Sequence, residues 1–287
     1  MKTLVQKITA VIGLTVSLGL ASCEKDNLLN PNPAGSARSG AANDDIVVGM
    51  PQVHKLVKYG AATLTYAGNG KLINVTTPVS GSLAIETDYT YSPGTVKAFT
   101  HQGKIVLRDE TFTLDASGRC TESVVEGFYS DTEWKYNYTA KGQLWSCTNK
   151  NSCVGGINYT YNADGDMILA ELTTDAGGGG TDVTFAYSQR TVAGLLNDNY
   201  PVNLNVPKIP AHDAYLRIFG KPSKHLVQRV SYESPGSSFP VPSDRFYTYT
   251  LDADGYVKQR SMSHTLGGNS VENTAYEYTL ADIGLSF

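Results

Sequence analysis

The chain has 287 residues, only 17% of them charged, and a formal net charge of −4 at pH 7. Soluble domains carry about 25% charged residues, so we expect polar faces built mainly from Thr, Ser, Asn and Tyr. The 23 Lys and Arg residues are outnumbered by 27 Asp and Glu residues and form no basic stripe. This balance argues against nucleic acid as a partner.

The first 22 residues have the layout of an export signal. Lys2 and Lys7 precede an apolar run at 8–20, which is too short to span a bilayer. Small residues follow, as a signal peptidase requires. We therefore predict a signal peptide at 1–22, with an uncleaved membrane helix as the alternative.

The residues Leu20, Ala21, Ser22 and Cys23 resemble the bacterial lipobox. In that motif the Cys becomes the lipidated N-terminus after cleavage, so the resemblance implies lipidation of Cys23. Two or three acyl chains would anchor the protein firmly, because a single chain gives only marginal binding. The alternative is an ordinary secretory signal with an incidental Cys.

Directly after the Cys, the cluster 24–26 (Glu, Lys, Asp) resembles the signal that displays Bacteroidetes lipoproteins on the outer face of the outer membrane. A solvated start to a linker is the alternative. Residues 23–50 are rich in Asn, Ala, Gly, Ser, Pro and Asp, a composition that cannot offset its own ordering entropy. We predict a flexible tether at 23–50 and a single β domain at 51–287, a normal size for an all-β unit.

One stretch, FYTYTLDADGYV at 246–257, describes the unit from which this domain is built. Tyr247 and Tyr249 are two residues apart, so they share one face of an extended strand. Short polar residues ending in Gly255 follow, and they favour a tight turn with a glycine at positive φ. The unit is predicted to be strand, turn, strand.

Copies of this unit recur along the chain. Aromatic or leucine positions at Tyr66, Tyr91, Leu114, Tyr138, Tyr161 and Tyr187 follow one another at spacings of 25, 23, 24, 23 and 26 residues. Such a period is typical of repeated supersecondary units, and one hairpin per period leaves about ten residues per strand and turn. We predict an all-β fold, an antiparallel meander of hairpins that forms a strongly curved sheet or barrel.

The pattern breaks near residues 190–220, where we predict a short helical insertion. Residues 191–199 have helix-compatible composition, three prolines at 201–210 interrupt the chain, and 211–219 has helical spacing that ends at Gly220. A helical insertion of this kind would cover an edge or an open end of the sheet. An active-site lid is the alternative.

An exported protein permits disulfides. Cys147 and Cys153 bracket a short polar stretch and are our preferred pair, which leaves Cys120 single once Cys23 is lipidated. The alternative is that none of the three is bonded, because spacing does not fix a pairing.

The segment FGKPSKHL at 219–226, the YTYTLDADGYV stretch and the late pair Tyr276 and Tyr278 resemble a family of Bacteroidetes lipoproteins of unknown function. The domain of that family is described as having a porin-like fold. The repeats are more distantly similar to the YD repeats of Rhs-type shell proteins. The resemblance implies an antiparallel, barrel-like sheet and brings no activity with it.

A barrel raises the question of whether the wall faces lipid or water. Residues 283–287 alternate as the last strand of an outer-membrane barrel does. The predicted strands, however, carry Thr, Asn, Lys and Glu where a lipid-facing apolar band would be required. We favour a water-soluble barrel or half-barrel.

The sequence contains no nucleophile elbow, no metalloprotease His pair and no phosphate-binding glycine loop. Asp252 and Asp254 are reminiscent of a calcium loop, but its twelfth position falls on Ser261. The remaining thiols lack the close spacing of a zinc site. We predict no catalytic residues, no metal and no cofactor.

The tyrosines are the remaining binding candidates, because an aromatic ring offers a sugar an apolar face and a polar rim. The candidate platform consists of Tyr136, Tyr138, Tyr159, Tyr161, Tyr247 and Tyr249. The alternative is that these rings fill the interior of the sheet and pair across strands.

Three functions remain open. The first is a lipid-anchored, non-enzymatic binding or accessory protein of the outer membrane, with a glycan or an envelope protein as partner. The second is a barrel carrier of a lipid or another apolar ligand. The third is a hydrolase with an unrecognised site.

Overall fold

The computed structural model describes residues 52–126, 131–150, 155–173, 181–187, 195–200, 213–233, 243–264 and 271–282. They all belong to one compact unit, which spans Asp45–Phe287. The predicted signal peptide, Cys23 and nearly all of the tether lie outside the described residues. In the described part of the chain, no helix has the length and apolar character needed to cross a membrane.

The described residues form sixteen strands. They are β1 Gln52–Tyr59, β2 Ala62–Tyr66, β3 Leu72–Ser80, β4 Leu83–Ser92, β5 Thr95–Gln102, β6 Ile105–Leu114, β7 Cys120–Glu126, β8 Thr132–Tyr138, β9 Leu144–Asn149, β10 Gly156–Tyr161, β11 Met167–Thr173, β12 Thr181–Ala186, β13 Arg229–Glu233, β14 Ser243–Leu251, β15 Val257–His264 and β16 Val271–Asp282.

The strands close into a barrel in which each strand pairs antiparallel with its neighbours in sequence. The last strand closes the ring by pairing with the first, with Gln52 opposite Asp282 and Tyr59 opposite Tyr276. The prediction of an all-β antiparallel meander is therefore confirmed, and of the two shapes considered it is the closed barrel that forms.

The repeated unit of the sequence is a hairpin with a five-residue turn. Its first residue donates its N–H to the carbonyl of the fifth at 2.8 to 2.9 Å in the turns at 67–71, 115–119, 139–143, 162–166 and 252–256. The fourth residue of each turn is a glycine with φ between 77° and 93°. Residues with a Cβ rarely adopt that region, which explains why glycine closes every copy of the unit.

Each of these hairpins also carries a β-bulge beside its turn. The extra residues are Ile73, Thr121, Trp145, Ile168 and Lys258. A bulge disrupts the ladder locally and leaves backbone groups without a cross-strand partner. The residue before the bulge is thereby free to offer its carbonyl oxygen to another donor.

Tyrosine hydroxyls supply that donor. The second aromatic residue of one unit bonds to the preceding unit, as when Tyr161 donates to Leu144 O at 2.7 Å and Tyr138 donates to Cys120 O at 2.6 Å. The same bond joins Tyr91 to Leu72 O and Tyr187 to Met167 O. In each pair the first aromatic residue packs in the core, and the second joins neighbouring hairpins.

The predicted helical insertion near residues 190–220 is wrong for the part that the structure describes. Residues 195–200 and 213–220 form bends, turns and isolated bridges, with Asn197 paired to His225 and Gly220 paired to Gln143. The described backbone of this segment bonds to the barrel wall instead, with the carbonyl of Ile218 accepting the N–H of Cys120 at 2.7 Å. Pairing with the wall replaces the helix.

Candidate functional site in the barrel interior

The two faces of the barrel wall differ in polarity. Cross-strand partners on the outer face include Lys97 opposite Thr111 and Glu122 opposite Lys135. A transmembrane barrel carries an apolar band on this face, whereas the described outward positions are mostly Thr, Ser, Asn, Lys, Asp and Glu. The larger apolar residues on this face include Ile73, Phe99, Val124, Trp145, Ile168, Leu169, Phe246 and Val271. The outer face is suited to water rather than to hydrocarbon.

The inner face is apolar and aromatic along the same strands. Tyr89 faces Ala98, and Val96 faces Phe112, in consecutive inward pairs. All four side chains are buried, with exposed fractions of 0 to 5%. The hydrophobic effect therefore acts inward, and the core of the protein lies inside the barrel.

At one end of the barrel, the described part of the segment between β12 and β13 packs onto the core. We call its described residues, 195–200 and 213–228, the cap segment. Its backbone bonds to the wall, with Lys221 N donating to Gly142 O at 2.8 Å and Cys120 N donating to Ile218 O at 2.7 Å. The ring of Phe219 packs edge-on against Phe112, with 5.9 Å between ring centroids. This is the end that carries the glycine turns and at which β1 begins, and we call it the capped end.

Gly220 is a point of close approach between the cap segment and the wall. Its φ is +81°, and a Cβ placed there would lie 2.6 Å from Gly142 O and 2.8 Å from the ring of Tyr138. Any larger residue would both strain the backbone and collide with the wall. The glycine of the FGKPSKHL stretch is thus required by packing.

The rest of that stretch is held by Asp166, which is fully buried. Its carboxylate accepts the backbone N–H groups of Lys224 and His225 at 2.8 and 3.0 Å, and its second oxygen lies 2.7 Å from Nδ1 of His225. Ser223 Oγ accepts the N–H of Met167 at 3.0 Å. Ser223 Oγ also pairs with the Tyr187 hydroxyl at 2.9 Å, so the Ser, His and Asp of this corner fix the cap segment to the wall.

The six tyrosines of the predicted platform all face the barrel interior. Their positions are Tyr136, Tyr138, Tyr159, Tyr161, Tyr247 and Tyr249. Five of the hydroxyls have protein partners that serve the wall or the cap segment, such as Ser123 Oγ for Tyr136 at 2.9 Å and Val227 O for Tyr249 at 2.6 Å. Burial raises the pKa of Tyr159 and of Tyr249 well above the usual range. A ligand platform on these rings stays a prediction, and the sixth member, Tyr247, lies beside two arginines.

Away from the cap segment, the inward side chains become more exposed. The inward residues Thr87, Thr100, Tyr232 and Met262 are half-buried, and farther out Val79 and Leu83 are 54 and 55% exposed. This end of the barrel, which we call the far rim, carries the turns at Gly81 and Gly103. Five further connections at this rim, within 127–130, 151–154, 174–180, 234–242 and 265–270, lie outside the described residues.

Two arginines face the interior on one part of the wall. Arg260 lies across from Tyr249, and its guanidinium carbon is 5.4 Å from the ring centre of Tyr247 and 5.6 Å from that of Tyr59. Burial opposes the charge of Arg260, and the surrounding tyrosines outweigh that effect and raise its pKa. Arg245 lies closer to the far rim, with its guanidinium carbon 4.7 Å from the ring centre of Tyr232. We call Arg245, Arg260, Tyr232 and Tyr247 the arginine wall.

The opposite part of the interior holds a cluster of one arginine and two acids. Glu110 is 3% exposed, and its Oε2 lies 2.6 Å from a terminal nitrogen of Arg108. Burial raises the pKa of Glu110 and of Asp213, whose Oδ2 accepts the Tyr89 hydroxyl at 2.8 Å. Glu110 thus pairs with Arg108 and Asp213 with Tyr89, while Oε1 of Glu110 is buried without a hydrogen-bond partner among the described residues.

The two cysteines that the structure describes are buried inside the barrel. Cys120 and Cys147 are free, buried thiols, and burial raises the pKa of Cys147 to about 11. Cys147 Sγ lies 3.6 Å from the Tyr159 hydroxyl. Cys153, the predicted disulfide partner, lies outside the described residues, as does the lipidation residue Cys23. Among the residues that the structure describes, no group of three or more His, Cys, Asp or Glu side chains is placed to hold a metal ion.

Sequence reasoning missed the arginine wall, although a signal was present. Arg245, Tyr247 and Tyr249 are spaced two residues apart, so the alternation that assigned the tyrosines to one face also assigned Arg245 to it. That pattern does not show which face of the sheet becomes the barrel interior. An inward arginine was therefore indistinguishable from an exposed one.

Comparison with known proteins supports the fold and no more. No family model matches the chain, and no curated protein matches it. The chain is similar in structure to a porin-like protein from Bacteroides uniformis, with a TM-score of 0.54 and 17% identity over 76% of this chain and 89% of that one. A porin-like protein from Bacteroides vulgatus also has a TM-score of 0.54, with 13% identity over 78% of this chain and 98% of that one. The porin-like fold implied by the lipoprotein resemblance is therefore confirmed, while the likeness to YD repeats stays a prediction.

Proposed function

We propose that the protein is a lipid-anchored cell-envelope protein that binds a ligand inside its barrel and carries out no catalysis. The observation that carries this proposal is the polarity of the wall, which is polar outside and apolar and aromatic inside. A barrel of that kind is stable in water without a lipid belt. With the cap segment packed at one end, its interior forms a cup whose half-exposed side chains lie toward the far rim.

The lipid anchor completes this proposal. A barrel with a polar outer wall needs a separate attachment to stay at a membrane, and lipidated Cys23 would provide one. The chain enters the barrel at Gln52, at the capped end. We place the protein at the outer membrane, on the strength of the lipobox-like and Glu-Lys-Asp residues at 20–26; the latter support display on the outer surface.

The experiment that tests the anchor is substitution of Cys23→Ser followed by cell fractionation. We expect the variant to leave the membrane fraction and to remain soluble without detergent. Cys120→Ser is the matched control, because it removes a buried thiol inside the barrel and should leave the protein at the membrane. A Cys23→Ser variant that stays membrane-bound would contradict the proposal.

A second candidate is a carrier of an apolar ligand. It is favoured by a group of exposed apolar residues on neighbouring hairpins at the far rim, namely Val79, Leu83, Ile105, Val106 and Leu107, which are 49 to 63% exposed. Apolar groups gathered at the mouth of a barrel are suited to contact with an acyl chain. Native mass spectrometry of the purified protein tests this candidate, which requires a co-purified lipid.

A further inference from the structure

Arg245 has an incomplete set of hydrogen-bond partners. Its side chain hydrogen-bonds to that of Tyr247, while its Nε is buried and has no acceptor among the described residues. No described carboxylate forms an ion pair with it, although the outward Arg229 on the neighbouring strand is paired with Asp244 at 2.8 Å. A buried donor without an acceptor is unfavourable and calls for an explanation.

A second donor nearby is in the same condition. The hydroxyl of Tyr276 is buried and without a hydrogen-bond partner among the described residues, and its ring packs edge-on against Tyr59, 5.1 Å between centroids. Arg260 stacks over that same Tyr59. The arginine wall and its surroundings therefore offer donors and positive charge in excess of acceptors.

The local charge balance points the same way. Arg108 inside the barrel is compensated by Glu110. On the arginine wall, the acid on the inward face is Glu272, which lies across from Met262 and is exposed. Strands β13–β16 thus place two arginines and one acid on their described inward face, in a protein whose net charge is −4. From the cap segment, Asp198 also acts electrostatically on Tyr249.

We infer that the arginine wall binds an anionic ligand, with a carboxylate, sulfate or phosphate group at Arg245 and the body of the ligand against the rings of Tyr232 and Tyr247. A guanidinium matches such oxyanions with two parallel hydrogen bonds, and an aromatic face packs against a sugar ring or an acyl chain. This inference deepens the proposed function and rests on it. The shared chemistry is the oxyanion, which a sugar acid or a fatty acid can supply.

The test is calorimetric titration of the purified full chain in a neutral detergent. The acidic probes are a hexuronate disaccharide and sodium laurate. The neutral counterpart of the first is a hexose disaccharide, and that of the second is monolaurin. We expect one acid to bind at least about tenfold more tightly than its counterpart, and inorganic sulfate to compete with it. The pair that shows the difference identifies the source of the oxyanion.

Arg245→Gln should abolish that difference, a loss of about tenfold or more in affinity for the acid. Arg229→Gln is the matched control, since it removes an outward arginine one strand away and should leave the affinity unchanged. Arg245→Lys keeps the charge but not the paired hydrogen bonds, and we expect intermediate affinity. Melting curves of the three variants report on folding.

Two results would overturn the inference. The first is that the wild type, Arg245→Gln and Arg229→Gln bind the acids with equal affinity. The second is that the wild type binds the acids no more tightly than their neutral counterparts, or does not bind them at all. Binding of the neutral probes in that second case would leave the proposed binding barrel intact. The lipid anchor is tested separately, by whether the Cys23→Ser variant is found in the membrane fraction or the soluble fraction.

Discussion

At the capped end, polar groups such as Asp166 and Ser223 have partners supplied by the chain, and the contacts are close enough that Gly220 admits no side chain. At the far rim, inward residues such as Thr87 and Tyr232 remain half-exposed, and the glycine turns at Gly81 and Gly103 have no atom near their missing Cβ. The difference teaches that the tightest described packing lies at one end of the barrel, while the proposed binding site lies toward the other. Substitutions that compare the two ends test this division.

The largest effect is expected for Gly220→Ala. The substitution forces a Cβ to within 2.6 Å of Gly142 O at a φ of +81°, so strain and overpacking should together lower the free energy of unfolding by roughly 3 kcal/mol or more. Gly103→Ala at the far rim is the control, because its φ is +58° and nothing lies within 4 Å. It should cost only about 1 kcal/mol. Urea denaturation measures both, and equal losses would show that the capped end is not specially tight.

A smaller effect is expected from pH, acting on Asp198 of the cap segment. Burial raises the pKa of Asp198 from 3.8 to about 7, against the opposing hydrogen bond from Tyr200 N and the charge of Arg217. The folded protein thus holds this proton more tightly than the unfolded chain does. The stabilisation from this group is greatest below about pH 4, falls as pH rises and is lost above about pH 7.

Thermal melts of the wild type and Asp198→Asn at pH 5 and pH 8 test this. The wild type should lose stability between the two values, by an amount on the order of a few kcal/mol. The Asn variant, which keeps the side-chain acceptor for Tyr200 N but does not titrate, should lose less. If the two proteins respond alike to pH, Asp198 is not the group responsible.

Much of the fold was predictable because it is local. The alternation of Tyr247 and Tyr249, closed by Gly255, specifies one hairpin, and hairpins repeated at a regular spacing specify a meander. The cap segment was not predictable in this way. Its backbone bonds to Cys120 and Gly142 are made across more than 75 residues of sequence, so the helical periodicity at 211–219 was overridden by tertiary pairing.

The candidate site was predictable only in part. The period of two assigned the tyrosines to one face, but whether that face lies inside a barrel depends on closure of β16 onto β1. Once the barrel closes, most of the predicted platform is used by wall and cap contacts. Arg245 then becomes the distinctive inward residue. Its importance depends on which carboxylates lie near it in space, and the spacing of residues in the sequence does not show this.

The central claim is that the interior is accessible beyond the cap segment, and thiol labelling tests it most directly. In a Cys23→Ser, Cys153→Ser background, Thr87→Cys places a thiol on the inward face and Thr90→Cys places one on the outward face, while Cys120 and Cys147 serve as buried references. With a water-soluble maleimide, we predict that the thiol at 87 reacts at a rate approaching that at 90, with the references unreactive. A thiol at 87 as unreactive as Cys120 would mean that the interior is filled, and would contradict the account.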